Sequence, residues 1–292
     1  LELLRHKPDV FFSPSQLLPW YVPKKSFVFV HDSAFLFFKK AYSFWGRQYL
    51  RLMNWWIVKK SFGIITSTTF NLEELVRYYG AEIASKIQVV PLAFDCNIYN
   101  EKVVPFSNIE LDDDFGINKP FVLFIGRLEE KKNIRRLVQA FNWARKKNDF
   151  QLVLSGKPGY GYEQIKKEIE ASQYQKDIII PGWVEKEDLP RLLAAARVAI
   201  FVSLYEGFGL PILEALSIGV PVLASDLPSL REVGNNAVLY VDPKNIESIG
   251  RGLRYLFSLE SERGQWIKTG RERANYFSWD KTAAQIAKML LF

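Results

Sequence analysis

Two short stretches of the 292-residue chain combine residue types that can hold an anionic, hydroxyl-rich ligand. The first is Glu206-Gly-Phe-Gly-Leu-Pro-Ile-Leu-Glu214. Gly207 and Gly209 let the backbone turn with its N–H groups exposed, and Pro211 suits the first turn of a helix. A glycine-rich loop feeding a helix N-terminus is an anion cradle, because unpaired N–H groups and the positive end of the helix dipole meet there. Glu206, in the loop, and Glu214, one turn into the helix, would repel a phosphate. Carboxylates accept hydrogen bonds from hydroxyls, so the pair suggests a ligand carrying both phosphates and polyol groups, as a nucleotide sugar does. Taken alone, Glu214 would be an ordinary exposed helix residue; the loop before it favours a ligand role. The second stretch is Gly126-Arg-Leu-Glu-Glu-Lys-Lys-Asn133. Arg127 can grip phosphate oxygens with two parallel N–H donors, and Lys132 adds a point charge. By itself this stretch reads equally well as a solvated basic loop.

Both stretches need strands before them and helices after them. Short apolar runs that do not alternate with polar residues are expected as strands at Val10–Phe12, Phe27–Val30, Gly63–Thr66 and Ile87–Val90. After a gap they recur at Phe121–Ile125, Gln151–Ser155, Asp177–Ile180, Val198–Val202, Val220–Ala224 and Ala237–Val241. Such runs mark strands buried on both faces, as in parallel sheets. Ile134, Leu137, Val138, Phe141 and Ala144 share one face at helical spacing, and so do Leu189, Leu192, Leu193 and Ala196. Strand and helix in alternation predict right-handed crossovers and a doubly wound α/β sheet. In such sheets ligands sit at the carboxyl ends of strands. Gly126–Lys132 follows one strand, ending at Ile125, and precedes a helix that begins near Asn133, a good capping residue type. Residues 203–209 follow another strand. The expected organisation is a partial N-terminal domain over residues 1–112, a ligand-binding domain over 113–278, and a C-terminal helix over 279–292 packing back on the first domain. The chain opens Leu1-Glu-Leu-Leu-Arg-His6 with no methionine or signal pattern, and fewer strands precede the boundary than follow it. The expectation is that the N-terminal domain is incomplete.

Composition bounds the partners loosely. The net charge is +7, aromatics make up 15%, and no apolar run approaches the ~18 residues of a spanning helix. The single cysteine, Cys96, excludes an internal disulfide and fits a reducing compartment. Between Lys39 and Lys60 lie Phe44, Trp45, Tyr49, Trp55 and Trp56 with Lys40, Arg47, Arg51 and Lys59. Such a helix can lie on an anionic membrane face or pack its aromatics into the domain. Gly156-Lys-Pro-Gly-Tyr-Gly161 lacks the ending of a phosphate loop and reads as a loop after a strand.

The order Gly-Arg-x-x-x-x-Lys-Asn at 126–133, Pro-Gly-Trp-Val at 181–184, Glu-Gly-Phe-Gly-Leu-Pro-Ile-Leu-Glu at 206–214 and Gly-Val-Pro-Val-Leu-Ala-Ser at 219–225 resembles the retaining glycosyltransferases of family four. The resemblance runs from about Ser13 to the C-terminus. It implies a GT-B fold, with two Rossmann-like doubly wound domains facing a cleft. It also implies transfer of a hexose from a nucleotide-diphosphate sugar, with GDP-mannose favoured and a UDP-sugar possible, to a saccharide or lipid-linked acceptor of the cell envelope. Arg127 and Lys132 would hold the diphosphate, after the close backbone approach at Gly126. Glu206, with the backbone of Phe208 and Gly209, would position the sugar hydroxyls, and Leu210 N–H would face a phosphate. Glu214 would bind the ribose, Trp183 and Val184 would lie along the base, and His31 would reach the sugar from the first domain. No metal or other cofactor is expected; Asp112-x-Asp114, which mimics a metal-binding pair, reads as a solvated acidic turn in the linker. No nucleic acid partner is expected, and the location would be cytoplasmic, at the inner membrane face if peripheral. Three alternatives stay open: a nucleotide-sugar epimerase, a phosphorylase of the same fold, or a donor-binding fragment without activity. The family's glycine-rich loop near the start of the first domain has no match here.

Overall fold

The computed structural model describes residues 2–291 and divides into two compact units. Unit 1 holds residues up to Ala93, the short segment Glu206–Phe208, and residues from Phe277 onward. Its sheet is parallel and follows chain order: β1 (Val10–Ser13), β2 (Lys25–Val30), β3 (Gly63–Thr66) and β4 (Ile87–Val89). Alternate residues of the buried β2 face opposite ways. Val28 and Val30 join Ile64, Met53, Ile57 and Leu75 beneath the helices Phe44–Lys60 and Thr69–Tyr79. Phe27 and Phe29 join Ile65 and Val90 on the other face, against Ile286 and Met289 of the C-terminal helix Trp279–Leu291. Thr282 Oγ1 of that helix donates to Pro91 O at 2.7 Å. Covering both faces explains why these strands lack alternation.

The Phe44–Lys60 helix turns Met53, Asn54, Ile57 and Val58 inward. Phe44, Trp45, Tyr49 and Trp55 remain exposed, whereas Trp56 packs against the core and its Nε1 donates to Pro19 O, so the aromatics of this segment divide between the two readings. Among the described residues no helix is long and apolar enough to cross a membrane.

Unit 2 comprises Phe94–Tyr205 and Gly209–Tyr276. Its strands are β5 (Phe121–Ile125), β6 (Gln151–Ser155), β7 (Ile178–Gly182), β8 (Val198–Phe201), β9 (Val222–Ser225) and β10 (Val238–Val241). They form one parallel sheet in the order β10-β9-β8-β5-β6-β7. The chain builds outward from β5 to β7, then returns to β5's other side with β8 and builds away again. That reversal lies between β5 and β8, the place where open α/β sheets bind ligands. Ile134, Leu137, Val138, Phe141 and Ala144 are all fully buried in its core, as their spacing predicts.

Residues 94–112, which the sequence reading placed with the first domain, cluster with unit 2. Phe106 is buried, its N–H donates to Arg191 O, and the Arg191 guanidinium lies 4.0 Å from its ring centre. The acidic run Asp112–Asp114 is helical, within Asn108–Phe115, where a turn was expected. The cause is a capping box: Ser107 accepts from Glu110 N–H, and the Glu110 carboxylate accepts from Ser107 N–H. Arg191 binds the same carboxylate at 2.8 Å.

Candidate functional site

In unit 2 the loops after β5, β6 and β7 are hydrogen-bonded into one surface. Gly126 N–H donates to Ser155 O at 2.9 Å, and Gly156 N–H donates to Gly182 O at 2.8 Å. Further out, Leu128 N–H donates to Lys157 O, Gly159 N–H to Leu128 O, and Glu130 N–H to Tyr160 O. Gly156 has φ +148°, and a Cβ there would sit 1.9 Å from Gly126 O. The Gly156–Gly161 stretch is therefore the partner that fixes the Gly126–Lys132 loop. In sequence this stretch reads as a loop after a strand, which it is; its pairing with the Gly126–Lys132 loop is what the fold adds.

The basic residues sit on this surface. Arg127 is exposed. Lys132 ends a short 3-10 turn, Glu130–Lys132, and is half-buried. Asn133 follows in a left-handed conformation, φ 61°. It stands at the start of the Ile134–Arg145 helix but makes no side-chain cap there, contrary to its expected role. Its Nδ2 instead donates to Val202 O at 3.0 Å and Pro243 O at 2.7 Å, while its Oδ1 accepts from Arg136. Leu204 N–H donates to Lys131 O at 2.8 Å. The Lys132 loop is thereby tied to the ends of β8 and β10, across the reversal in strand order.

Beyond β8 the chain enters the helix Leu210–Ile218. Gly209 occupies its N-cap with φ 106°, no side chain caps the first turn, and Pro211 lies within it. Glu214, half-buried on this helix, has its carboxyl pushed up to about 7 by burial. Its charge also helps to raise the buried Tyr99 phenol, which burial raises first. Trp183, after β7, is exposed, and Lys157 Nζ stands 4.7 Å from its ring centre. Val184 is buried beside it in sequence. Thus Gly126, Arg127, Lys132, Trp183, Val184, Gly209, Leu210 and Glu214 all follow carboxyl ends of one sheet's strands. Lys157 joins them as a cation that sequence reading did not single out.

The remaining expected residues, His31, Glu206 and Phe208, belong to unit 1. His31 follows β2 and is exposed, with its ring stacked on Phe29 at 4.8 Å. Its Nε2 lies 2.8 Å from Pro14 O. A carbonyl can only accept, so Nε2 carries the proton, and in the neutral ring Nδ1 is the acceptor. Phe208 is buried with its ring edge-on to Phe277. Between Glu206 and Phe208, the Gly207 carbonyl accepts from Asn71 Nδ2, Thr68 Oγ1 and Ser67 Oγ, at 2.9, 3.0 and 3.4 Å.

A cavity of about 750 Å³ lies elsewhere in unit 2, lined by Asp112, Lys119, Phe121, Arg197 and Arg263 at the amino ends of β5 and β8. Several of its charged side chains are engaged. Lys119 pairs with Asp177 at 2.8 Å, Arg197 pairs with Glu260, and Arg263 donates to Arg197 O. The strand ends opposite are the ones that gather the glycines with Arg127, Lys132 and Lys157. Among the described residues no three His, Cys, Asp or Glu side chains cluster so as to hold a metal ion.

Residues 108–273 match the family model "Glycosyl transferases group 1". The chain is 40% identical over 227 residues to O-antigen chain mannosyltransferase B of Escherichia coli, covering 76% of this chain and 58% of that protein. It therefore spans little more than half the length of that relative. In fold it is similar to sucrose-phosphate synthase from Thermosynechococcus elongatus, with a TM-score of 0.80 at 20% identity over 99% of this chain and 74% of that one. It is also similar to HepE of Anabaena in complex with UDP and glucose, with a TM-score of 0.79 at 18% identity over 99% and 79% of the two chains. The fold is GT-B. The cation-bearing loop after β5, the uncapped helix after β8 and the match over most of unit 2 together place the chain in the glycosyl transferases group 1 family.

Proposed function

We propose that the chain binds a nucleoside-diphosphate hexose and transfers the hexose, with retention, to a saccharide or lipid-linked acceptor. The observation that carries this is the reversal between β5 and β8, where the Lys132 loop is bonded to the chain leading into the Leu210–Ile218 helix. Arg127 and Lys132 bind the diphosphate and neutralise it as it leaves, the work a metal does elsewhere. Gly209 and Leu210 offer N–H groups at a helix N-terminus to phosphate. Glu214 accepts hydrogen bonds from the ribose, and Trp183 and Val184 lie along the base. Glu206, the Phe208 backbone and His31 act on the hexose. The leaving phosphate takes the acceptor proton on the same face, so no protein nucleophile is invoked.

The identity with an O-antigen mannosyltransferase supports mannose as the hexose; GDP as its carrier rests on the motif resemblance alone. The likeness to a protein crystallised with UDP keeps a UDP-sugar as the second candidate. A cell-envelope acceptor and a cytoplasmic location against the inner membrane fit the exposed aromatic and basic residues of the Phe44–Lys60 helix. Calorimetric titration of GDP, UDP and ADP tests the donor assignment. GDP binding tightest is expected, and Lys132→Ala should weaken it by the roughly 1.5–3 kcal/mol of a charged hydrogen bond, about 10- to 100-fold in Kd. Unchanged affinity and turnover in that variant would remove Lys132 from the site.

A further inference from the structure

Asn71 and Thr68 have no place in the chemistry above, yet they converge on one atom of the Glu206–Phe208 segment. Thr68 is the N-cap of the Thr69–Tyr79 helix, its hydroxyl accepting from Asn71 N–H. The same hydroxyl donates to Gly207 O at 3.0 Å. Asn71, one turn in, is 2% exposed. Its Nδ2 reaches Gly207 O at 2.9 Å, His31 O at 3.0 Å and Ser67 Oγ at 3.1 Å. Its Oδ1 is buried with no hydrogen-bond partner. A buried acceptor left unsatisfied is rare in native cores and marks a constraint stronger than local stability. Here the constraint is that the amide must donate to two backbone carbonyls from segments far apart in sequence.

The close approach of those segments is built in. A Cβ on residue 207 would lie 2.6 Å from His31 O and 2.8 Å from the Asp32 Cβ, so only glycine lets the two backbones meet. Gly207 O points at the N-terminus of the Thr69–Tyr79 helix, where the dipole is positive. The Gly207–Phe208 peptide is trans, so its N–H is antiparallel to its C=O. Fixing the carbonyl on Thr68 and Asn71 therefore aims Phe208 N–H the opposite way and sets the direction in which Glu206 leaves the loop.

We infer that Asn71 and Thr68 are positioning residues for sugar transfer, locking the Gly207 peptide and the His31 carbonyl into one frame so that Glu206, Phe208 N–H and His31 act in fixed register. The inference rests on the reading of Glu206–Phe208 as the sugar-binding segment. Misplacing reacting groups by about an ångström costs on the order of 100-fold in rate. The diphosphate groups Arg127 and Lys132 belong to unit 2 and are untouched.

The test uses the 292-residue chain with three substitutions: Asn71→Ala, Thr68→Asp and Thr68→Ser. Aspartate keeps the helix-capping acceptor but cannot donate to Gly207 O, whereas serine keeps both functions. Expected are a kcat roughly 100-fold lower in Asn71→Ala and Thr68→Asp, and near wild type in Thr68→Ser. Kd for the tighter-binding nucleoside diphosphate should stay within about twofold in all three. Hydrogen exchange should show Phe208, Gly209 and Leu210 amides opening faster in the two impaired variants, with β2 and β3 amides unchanged as a check on folding. Unchanged kcat in Asn71→Ala, equal loss in Thr68→Ser and Thr68→Asp, or a parallel loss of nucleotide affinity overturns the inference. If the wild-type chain releases no sugar from any donor, the transferase reading fails. The anchor is then judged on exchange alone, and equal opening of residues 208–210 in wild type and Asn71→Ala overturns it.

Discussion

Glu214 places a titration inside the working range of pH. Burial raises its carboxyl from the ordinary carboxylate range to about 7. Between those values the folded protein keeps a proton that the unfolded chain releases. The stability that this proton contributes is full below the unfolded value and is lost as pH rises through about 7. On the role proposed for Glu214, binding runs the other way, because an ionised carboxylate is the better acceptor for ribose hydroxyls. From pH 6 to pH 8 the wild-type midpoint of thermal unfolding should fall relative to Glu214→Gln, while affinity for the nucleoside diphosphate rises relative to that variant. Parallel pH profiles in the two proteins would show that Glu214 does not titrate in this window. The positions of Arg127, Lys132 and Glu214 were legible in the sequence because each lies within a few residues of a strand end or a helix start. Asn71 was not, because its partner at Gly207 lies across the chain and no local spacing marks it. His31 was legible as a strand-end residue, but the engagement of its Nε2 by Pro14 was not.

The strands of both units follow the apolar runs closely, because burial on both faces leaves a signal that needs no knowledge of neighbours. Loops gave less. Asp112–Asp114 reads as an acidic turn until Ser107 and Glu110 are recognised as a capping box. Asn133 reads as a helix cap until the left-handed backbone turns its amide toward Val202 and Pro243. The glycines of the Gly156–Gly161 stretch carry a sharper consequence. Gly156→Ala would put a methyl 1.9 Å from Gly126 O, so it should unfold the protein at markedly lower denaturant or leave it insoluble. Gly116→Ala, also at positive φ but with nothing within 4 Å, should cost only the backbone penalty. That penalty is about 1–2 kcal/mol. Chemical denaturation of the two variants compares them directly, and equal losses would mean that the close approach at Gly156 is not rigid.

On the scale of the whole chain, charge is unevenly spread. No acidic residue occurs between Asp32 and Glu73, a span that carries Arg47, Arg51, Lys59 and Lys60 beside the exposed Phe44, Trp45, Tyr49 and Trp55. Sedimentation with phosphatidylglycerol vesicles should therefore carry the protein down at low salt, and phosphatidylcholine vesicles should not. Arg51→Glu should weaken the association by at least the ~1 kcal/mol of one basic residue near an anionic surface. Indifference to lipid charge would return this helix face to plain solubility. The sequence motifs announced the family and the parallel sheets, whereas the reversal of strand order between β5 and β8 required the structure. The backbone bonds that stitch 126–132 to 156–161 also govern how the protein can be re-engineered. Neither loop is an independent module, so a chimera that imports one from a relative inherits mismatched edges unless its counterpart travels with it. Loop exchange in this scaffold should be made in pairs.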